Sequence, residues 1–252
     1  MKPWLATGLL LLSSGFAYAQ EAAPAHQTHW TYEGAEGPEY WGELADTYKS
    51  CSTGKNQSPI NLDSKAHIEA ELSPLTIAYQ AGGSEVLNNG HTIQVKYEPG
   101  STLTLDGHDY ELKQFHFHSP SENQIDGKSH PMEAHLVHAD KDGNLAVVAL
   151  MFDESAEDNA GLEQFWSQMP AKAEETTALT AKTDVSKLLP ADHDYYRFNG
   201  SLTTPPCTEG VVWLVMKQPV TVSKAQIEKF TTIMGHPNNR PVQAVNARPV
   251  LK

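Results

Sequence analysis

The stretch ELKQFHFHSPSEN, residues 111–123, sets two histidines two apart and follows them with a carboxylate. Leu112, Phe115 and Phe117 predict a β-strand, and its period of two sends Gln114, His116 and His118 to one face. Two ligand-type groups therefore converge on one point. Alone, such a pair is more often an ordinary hydrogen-bonded one, so a metal requires a third partner. The stretch PMEAHLVHAD supplies it. Glu133, His135 and Val137 share one face of this second strand, and Met132, Ala134, Leu136 and His138 share the other. The intervening Gly-, Pro- and Ser-rich segment is long enough to return the chain to an adjacent antiparallel strand. Three neutral imidazoles with one open position are the donor set of catalytic rather than structural zinc. No thiolate accompanies them, which excludes an iron–sulfur or structural zinc centre. Glu133 is placed to accept the outer N–H of a ligand imidazole, with a buried ion pair as its alternative; His138, on the opposite face, is read as structural.

The elements that must position these groups are strands. LTIAYQ, HTIQVKYE, STLTLDG, YELKQFHFH, EAHLVHAD, LAVVALMF and GVVWLVMKQPV alternate or run apolar between turn residues, the signature of a β-rich fold with antiparallel neighbours. DNAGLEQFWSQM and VSKAQIEKFTTIMG carry helical spacing, the latter ending on a capping glycine. The reading is a mainly β (α+β) single domain over residues 29–252, with a large, mostly antiparallel twisted central β-sheet and peripheral short helices. No repeat, low-complexity tract or linker divides the 252 residues.

Residues 1–19 combine a basic start at Lys2, a short apolar core and an Ala17-Tyr18-Ala19 ending. That pattern predicts a signal peptide cleaved near Ala19–Gln20, and residues 20–28 follow as a flexible lead-in. No later segment offers 18 uninterrupted apolar residues, so no membrane insertion is expected. The formal charge of −13 disfavours nucleic acid and anionic membranes as partners. Cys51 and Cys207 both lie in the exported part, where a disulfide is the default; two free thiols or thiolate ligands are the alternative. A bridge would anchor the SLTTPP loop to the segment containing NQSPINL.

The chain resembles the α-class carbonic anhydrases, specifically their bacterial exported branch. NQSPINL, NNGH, QFHFHSPSEN, EAHLVH, LAVV and NGSLTTPPCTEGVVW occur in the family's order over roughly 220 residues, from His29 to NARPV near the C-terminus. The three-histidine zinc of carbonic anhydrase is itself the type case of the open arrangement described above, so that agreement is not independent. The resemblance implies Zn²⁺ on His116, His118 and His135, with Gln114 and Glu133 orienting ligand imidazoles. It implies reversible hydration of carbon dioxide to bicarbonate and a proton, by attack of zinc-bound hydroxide and histidine-mediated proton transfer to buffer. Thr203, its own proton committed to Glu122, would orient the hydroxide. Thr204 would line the bicarbonate position, and Val137, Val147, Leu202, Val211 and Trp213 the apolar wall.

Direct release of a proton from a group of pKa about 7 to water climbs roughly 9 kcal/mol. A relay near neutrality is therefore needed, and His91 occupies the family's shuttle position. Tyr32, Asn89 and Gln94 match polar positions that order the connecting water. Ser58-Pro59 and Pro205-Pro206 match the family's cis prolyl sites. The chain departs from the vertebrate pattern at Ser119-Pro120, at Asn123 and at Phe198. Localisation is expected to be periplasmic or secreted, and a homodimer stays open. Two rivals remain. The motif His-x-His-x-x-x-Glu through Glu122 is also the core of the cupin metal motif, but the flanking glycines it needs are Tyr110 and Ser129. A non-catalytic zinc-binding protein on the same fold is the other.

Overall fold

A computed structural model describes Met1 and residues 28–252. Apart from Met1, the expected signal peptide, its cleavage site and the lead-in up to Gln27 lie outside the described residues. Thr28, assigned to the lead-in, accepts a hydrogen bond on its carbonyl from the Tyr48 hydroxyl at 2.8 Å, so the folded domain holds it.

Thirteen strands and four α-helices, alongside three short 3-10 turns, follow one another among the described residues: β1 (Asn61–Leu62), β2 (Thr76–Ala78), β3 (Gly83–Asn88), β4 (Ile93–Tyr97), β5 (Thr102–Leu105), β6 (His108–His118), β7 (Gln124–Ile125), β8 (Met132–Ala139), β9 (Leu145–Ser155), β10 (Glu175–Thr183), β11 (Tyr195–Ser201), β12 (Glu209–Met216) and β13 (Val220–Ser223), with α1 (Trp41–Leu44), α2 (Ser50–Thr53), α3 (Ala160–Trp166) and α4 (Lys224–Met234). Eleven of the strands form one sheet with the backbone order β10-β3-β4-β6-β8-β9-β12-β11. Its pairings are antiparallel except where β12 and β13 meet β9. The mainly β, mostly antiparallel architecture is thus the one expected. Both helical patterns form helices, and α4 opens on a Ser223–Gln226 capping box and closes on Gly235 at φ 75°.

The sheet separates two cores, because successive residues of a strand point to opposite faces. On one face lie Phe115, Phe117, Leu136, Val148, Leu150 and Phe152, covered by Phe165, Trp166 and Phe230 of α3 and α4. On the other lie Val147, Ala149, Met151, Val211, Trp213 and Phe198. A third cluster joins Trp30, Tyr32, Trp41 and Tyr48 to Cys51 and Cys207.

Strand β6 meets both cores through an irregularity. The register pairs Leu112 with His138 and then Gln114 with Val137, so Lys113 is an extra, exposed residue. In an unbroken strand Leu112 would share a face with Gln114 and His116. The bulge instead places Leu112 with Phe115 and Phe117 in the first core and leaves the second face to polar chemistry. No described helix is long and apolar enough to cross a membrane.

Candidate metal centre

The register of the central strands assembles the site. His116 on β6 lies directly opposite His135 on β8, and His118 lies opposite Glu133. One ring nitrogen of each of His116, His118 and His135 lies within 4.8 Å of the other two. Every remaining ring nitrogen is committed. His116 Nδ1 meets Gln114 Oε1 at 2.8 Å, His118 Nδ1 meets the Asn238 carbonyl at 2.7 Å, and His135 Nε2 meets Glu133 Oε1 at 2.9 Å. All three partners are acceptors, so those nitrogens carry the protons, and the lone pairs on His116 Nε2, His118 Nε2 and His135 Nδ1 face one another.

The electrostatics agree with neutral imidazoles. Burial holds His116 and His135 well below the usual histidine range, and neighbouring imidazoles push in the same direction. His118 is lowered by burial too, partly offset by its bond to Asn238. Converging lone pairs without a proton between them repel unless a cation accepts them all. His118 Nε2 is buried and has no hydrogen-bond partner, a costly orphan that a cation accounts for. Three neutral nitrogens suit zinc among divalent metals, so the residues present fit the group.

Glu133 is fully buried, and four donors converge on its carboxylate: the Glu122 and Asn123 amides, the Asn123 side chain and His135. The departure at Asn123 is therefore part of the clamp on Glu133. Glu122 accepts from the Arg240 amide at 2.8 Å. Its Oε2 has no hydrogen-bond partner and lies 3.5 Å from His118 Nε2 and 3.9 Å from His135 Nδ1. Burial pushes the Glu122 carboxyl up to about 8, against the opposing pull of the Arg240 amide and the Thr203 hydroxyl.

Thr203 and Thr204 sit in the loop joining β11 to β12, which is closed by Leu202 N–H to Thr208 and Cys207 N–H to Thr204. The Cys51–Cys207 disulfide, with Cα atoms 5.0 Å apart, ties this loop to α2 as the sequence suggested. Ser58-Pro59 and Pro205-Pro206 are cis, as expected, and Ser119-Pro120 is a third cis bond. Val147, Val211 and Trp213 are buried in the second core with Val137 and Leu202 packed on it, and the Trp213 ring stands 4.8 Å from that of His135. Phe198 stacks on Trp213 behind this wall.

A cavity of about 140 Å³ is lined by His116, His118, Gln114, Gln94, Tyr32, Asn89, His91 and Thr204, together with Trp30 and Thr92. It brings the predicted relay and water-ordering residues to the metal-facing histidines. His91 owes its place to the β3–β4 turn, where Gly90 takes φ 79° and Asn89 Oδ1 accepts from the His91 and Thr92 amides. Its ring lies 3.8 Å from that of Trp30, nearly parallel. Burial lowers its pKa, and His29 and His236 add to the effect.

Sequence reading missed Asn238, Arg240 and Trp30. Asn238 acts through its main chain on His118, which no residue-type pattern encodes. Arg240 is buried, with its guanidinium on Gln57 and the Ser58 and Cys51 carbonyls; a buried arginine among NNRPV gives no sequence signal. Trp30 is recognisable only as an aromatic near the start of the domain.

The family described as eukaryotic-type carbonic anhydrase matches residues 36–252. The carbonic anhydrase of Pectobacterium carotovorum is 47% identical over 242 residues, covering 96% of each chain. Among solved structures, the α-carbonic anhydrase of Thermovibrio ammonificans in complex with sulfanilamide superposes with a TM-score of 0.88 at 49% identity, over 90% of this chain and 100% of that one. A hyperthermostable carbonic anhydrase from a hydrothermal vent chimney gives 0.85 at 53% identity, over 88% and 99%. With a family model matching residues 36–252 and near-half identity over 96% of the chain, the chain belongs to the α-carbonic anhydrase family.

Proposed function

We propose that the protein is a zinc enzyme that interconverts carbon dioxide and bicarbonate outside the cytoplasm, in a periplasm or after secretion. The single observation that carries this reading is the convergence of three neutral imidazole lone pairs, two of them from buried rings, whose outer nitrogens are all held by acceptors. His116, His118 and His135 hold the metal, while Gln114, the Asn238 carbonyl and Glu133 fix their tautomers. Zinc supplies Lewis acidity that brings the pKa of water to about 7, a value established for carbonic anhydrase itself, so that a nucleophile exists at neutral pH.

The rest is the work of side chains. The Glu122 carboxylate accepts a hydrogen bond from the Thr203 hydroxyl, which leaves Thr203 Oγ1 to accept from the nucleophile and aim its lone pair. Carbon dioxide is uncharged and weakly hydrogen-bonding, so the apolar surface of Val137, Val147, Leu202, Val211 and Trp213 suits it. Thr204 donates to bicarbonate as it forms. The proton travels along water ordered by Tyr32, Asn89 and Gln94 to His91, which passes it to buffer. The disulfide is consistent with export.

Stopped-flow hydration of carbon dioxide by the processed chain tests the reading. Activity is lost when zinc is removed and returns when zinc is restored, and His135→Gln is inactive and zinc-poor. A folded, zinc-replete protein without hydration activity would sink the proposal in favour of a non-catalytic zinc-binding protein.

A further inference from the structure

Resting on the reading of His91 as proton relay, we propose that the Asn238 side chain is a positioning residue for proton export, because it fastens the turn bearing His91 to the metal-ligand strand. Asn238 is fully buried. Its Oδ1 accepts from the Ser119 amide at 2.8 Å, directly after the ligand His118. Its Nδ2 donates to the Phe117 carbonyl at 2.9 Å and to the His91 carbonyl at 3.0 Å. One planar amide thus grips the strand on both sides of His118 and the relay turn at once.

The turn has few other ties to that strand. Asn89 folds the turn on itself through the His91 and Thr92 amides, which sets its shape but not its distance from β6. Across the gap, the Thr92 hydroxyl donates to the Phe117 carbonyl and accepts from the Phe117 amide. That contact holds the far end of the turn, at the start of β4. The His91 main chain itself is held to β6 by Asn238 alone among the described side-chain hydrogen bonds. A proton crossing ordered water depends steeply on the separation of its donor and acceptor. The amide therefore sets the length of the water path, while the metal-holding contact with His118 uses only the Asn238 main chain.

Asn238→Asp separates the two roles. It keeps the main-chain carbonyl for His118 and an acceptor for Ser119, and removes the donor to the His91 and Phe117 carbonyls. Bicarbonate is released before the proton is exported, so kcat/KM covers capture and hydration whereas kcat also contains proton removal. The expected result is a fall in kcat of about 5- to 10-fold, the rate equivalent of one ordinary hydrogen bond. kcat/KM falls by less than kcat, bound zinc per chain is retained, and concentrated imidazole buffer restores kcat by accepting the proton directly. In the zinc-loaded wild type, the Asn238 side-chain amide protons exchange slowly with solvent.

Equal losses in kcat and kcat/KM, zinc loss, absence of buffer rescue or fast amide exchange each overturn the proposal. If Asn238→Asp does not fold, Gly90→Ala strains the same turn from its far side, where φ is 79°, and a kcat that does not move overturns it. His91→Ala distinguishes this failure from failure of the relay reading. Unchanged kcat in His91→Ala ends the relay and this inference together; reduced kcat there with unchanged kcat in Asn238→Asp ends this inference alone.

Discussion

His135 and His138 lie three residues apart on β8, on opposite faces of the same strand, and both are buried. Burial lowers the pKa of each, that of His138 to about 4, so both are neutral imidazoles near pH 7. What separates them is the fate of the second nitrogen. His138 donates from Nδ1 to the Ala146 carbonyl at 3.2 Å and accepts at Nε2 from the Tyr79 hydroxyl at 2.7 Å. No lone pair is left over. His135 gives its Nε2 proton to Glu133 and turns Nδ1 toward two further lone pairs. A depressed pKa is therefore no mark of a ligand on its own; an unspent nitrogen facing others is.

Exchanging each histidine for glutamine breaks the comparison most directly. His135→Gln loses bound zinc and brings hydration to the uncatalysed background, whereas His138→Gln keeps zinc and the greater part of kcat/KM; metal analysis with stopped-flow kinetics reads both. Acid titration is the next largest effect. The folded pKa of about 4 for His138 lies below the ordinary 6.5, so its stabilising contribution is complete above pH 6.5 and is lost as pH falls toward 4. The loss amounts to about 3 kcal/mol. Urea unfolding of wild type and His138→Gln at several pH values isolates it as a difference in slope. Replacing Glu133 by Gln weakens the orientation of His135 without removing a ligand, and zinc affinity drops about 10- to 100-fold by competition with a chelator. Smallest is Tyr79→Phe, which leaves His138 Nε2 without its donor. It lowers stability by about 1 kcal/mol and leaves zinc affinity unchanged.

The triad was legible because strand geometry is periodic. A spacing of two from His116 to His118, and of two from Glu133 to His135, is enough to fix faces once the strands are recognised. The Cys51–Cys207 pairing followed from there being only two cysteines. The disposition of the outer contacts was less visible. Gln114 and Glu133 are near neighbours of the histidines they orient, but the partner of His118 is a main-chain carbonyl 120 residues away, brought close by tertiary structure. Strand β10 escaped notice because it is an edge strand with mostly exposed residues, so no apolar alternation marks it. β3 and β11 contain glycine or polar residues where their neighbours carry apolar ones, and their pairing partners supply the order that local sequence does not.

The bulge at Lys113 means that β6 is written in two phases. Upstream of it, even-numbered Leu112 belongs to the oily side; downstream, even-numbered Gln114, His116 and His118 belong to the reactive side. Fold and chemistry thus occupy separate reading frames of a single strand. Pairing Lys113 in line instead of bulging it out would leave the triad paired with β8 while turning the upstream half inside out, so this one extra residue, as much as the strand's composition, keeps the two frames apart.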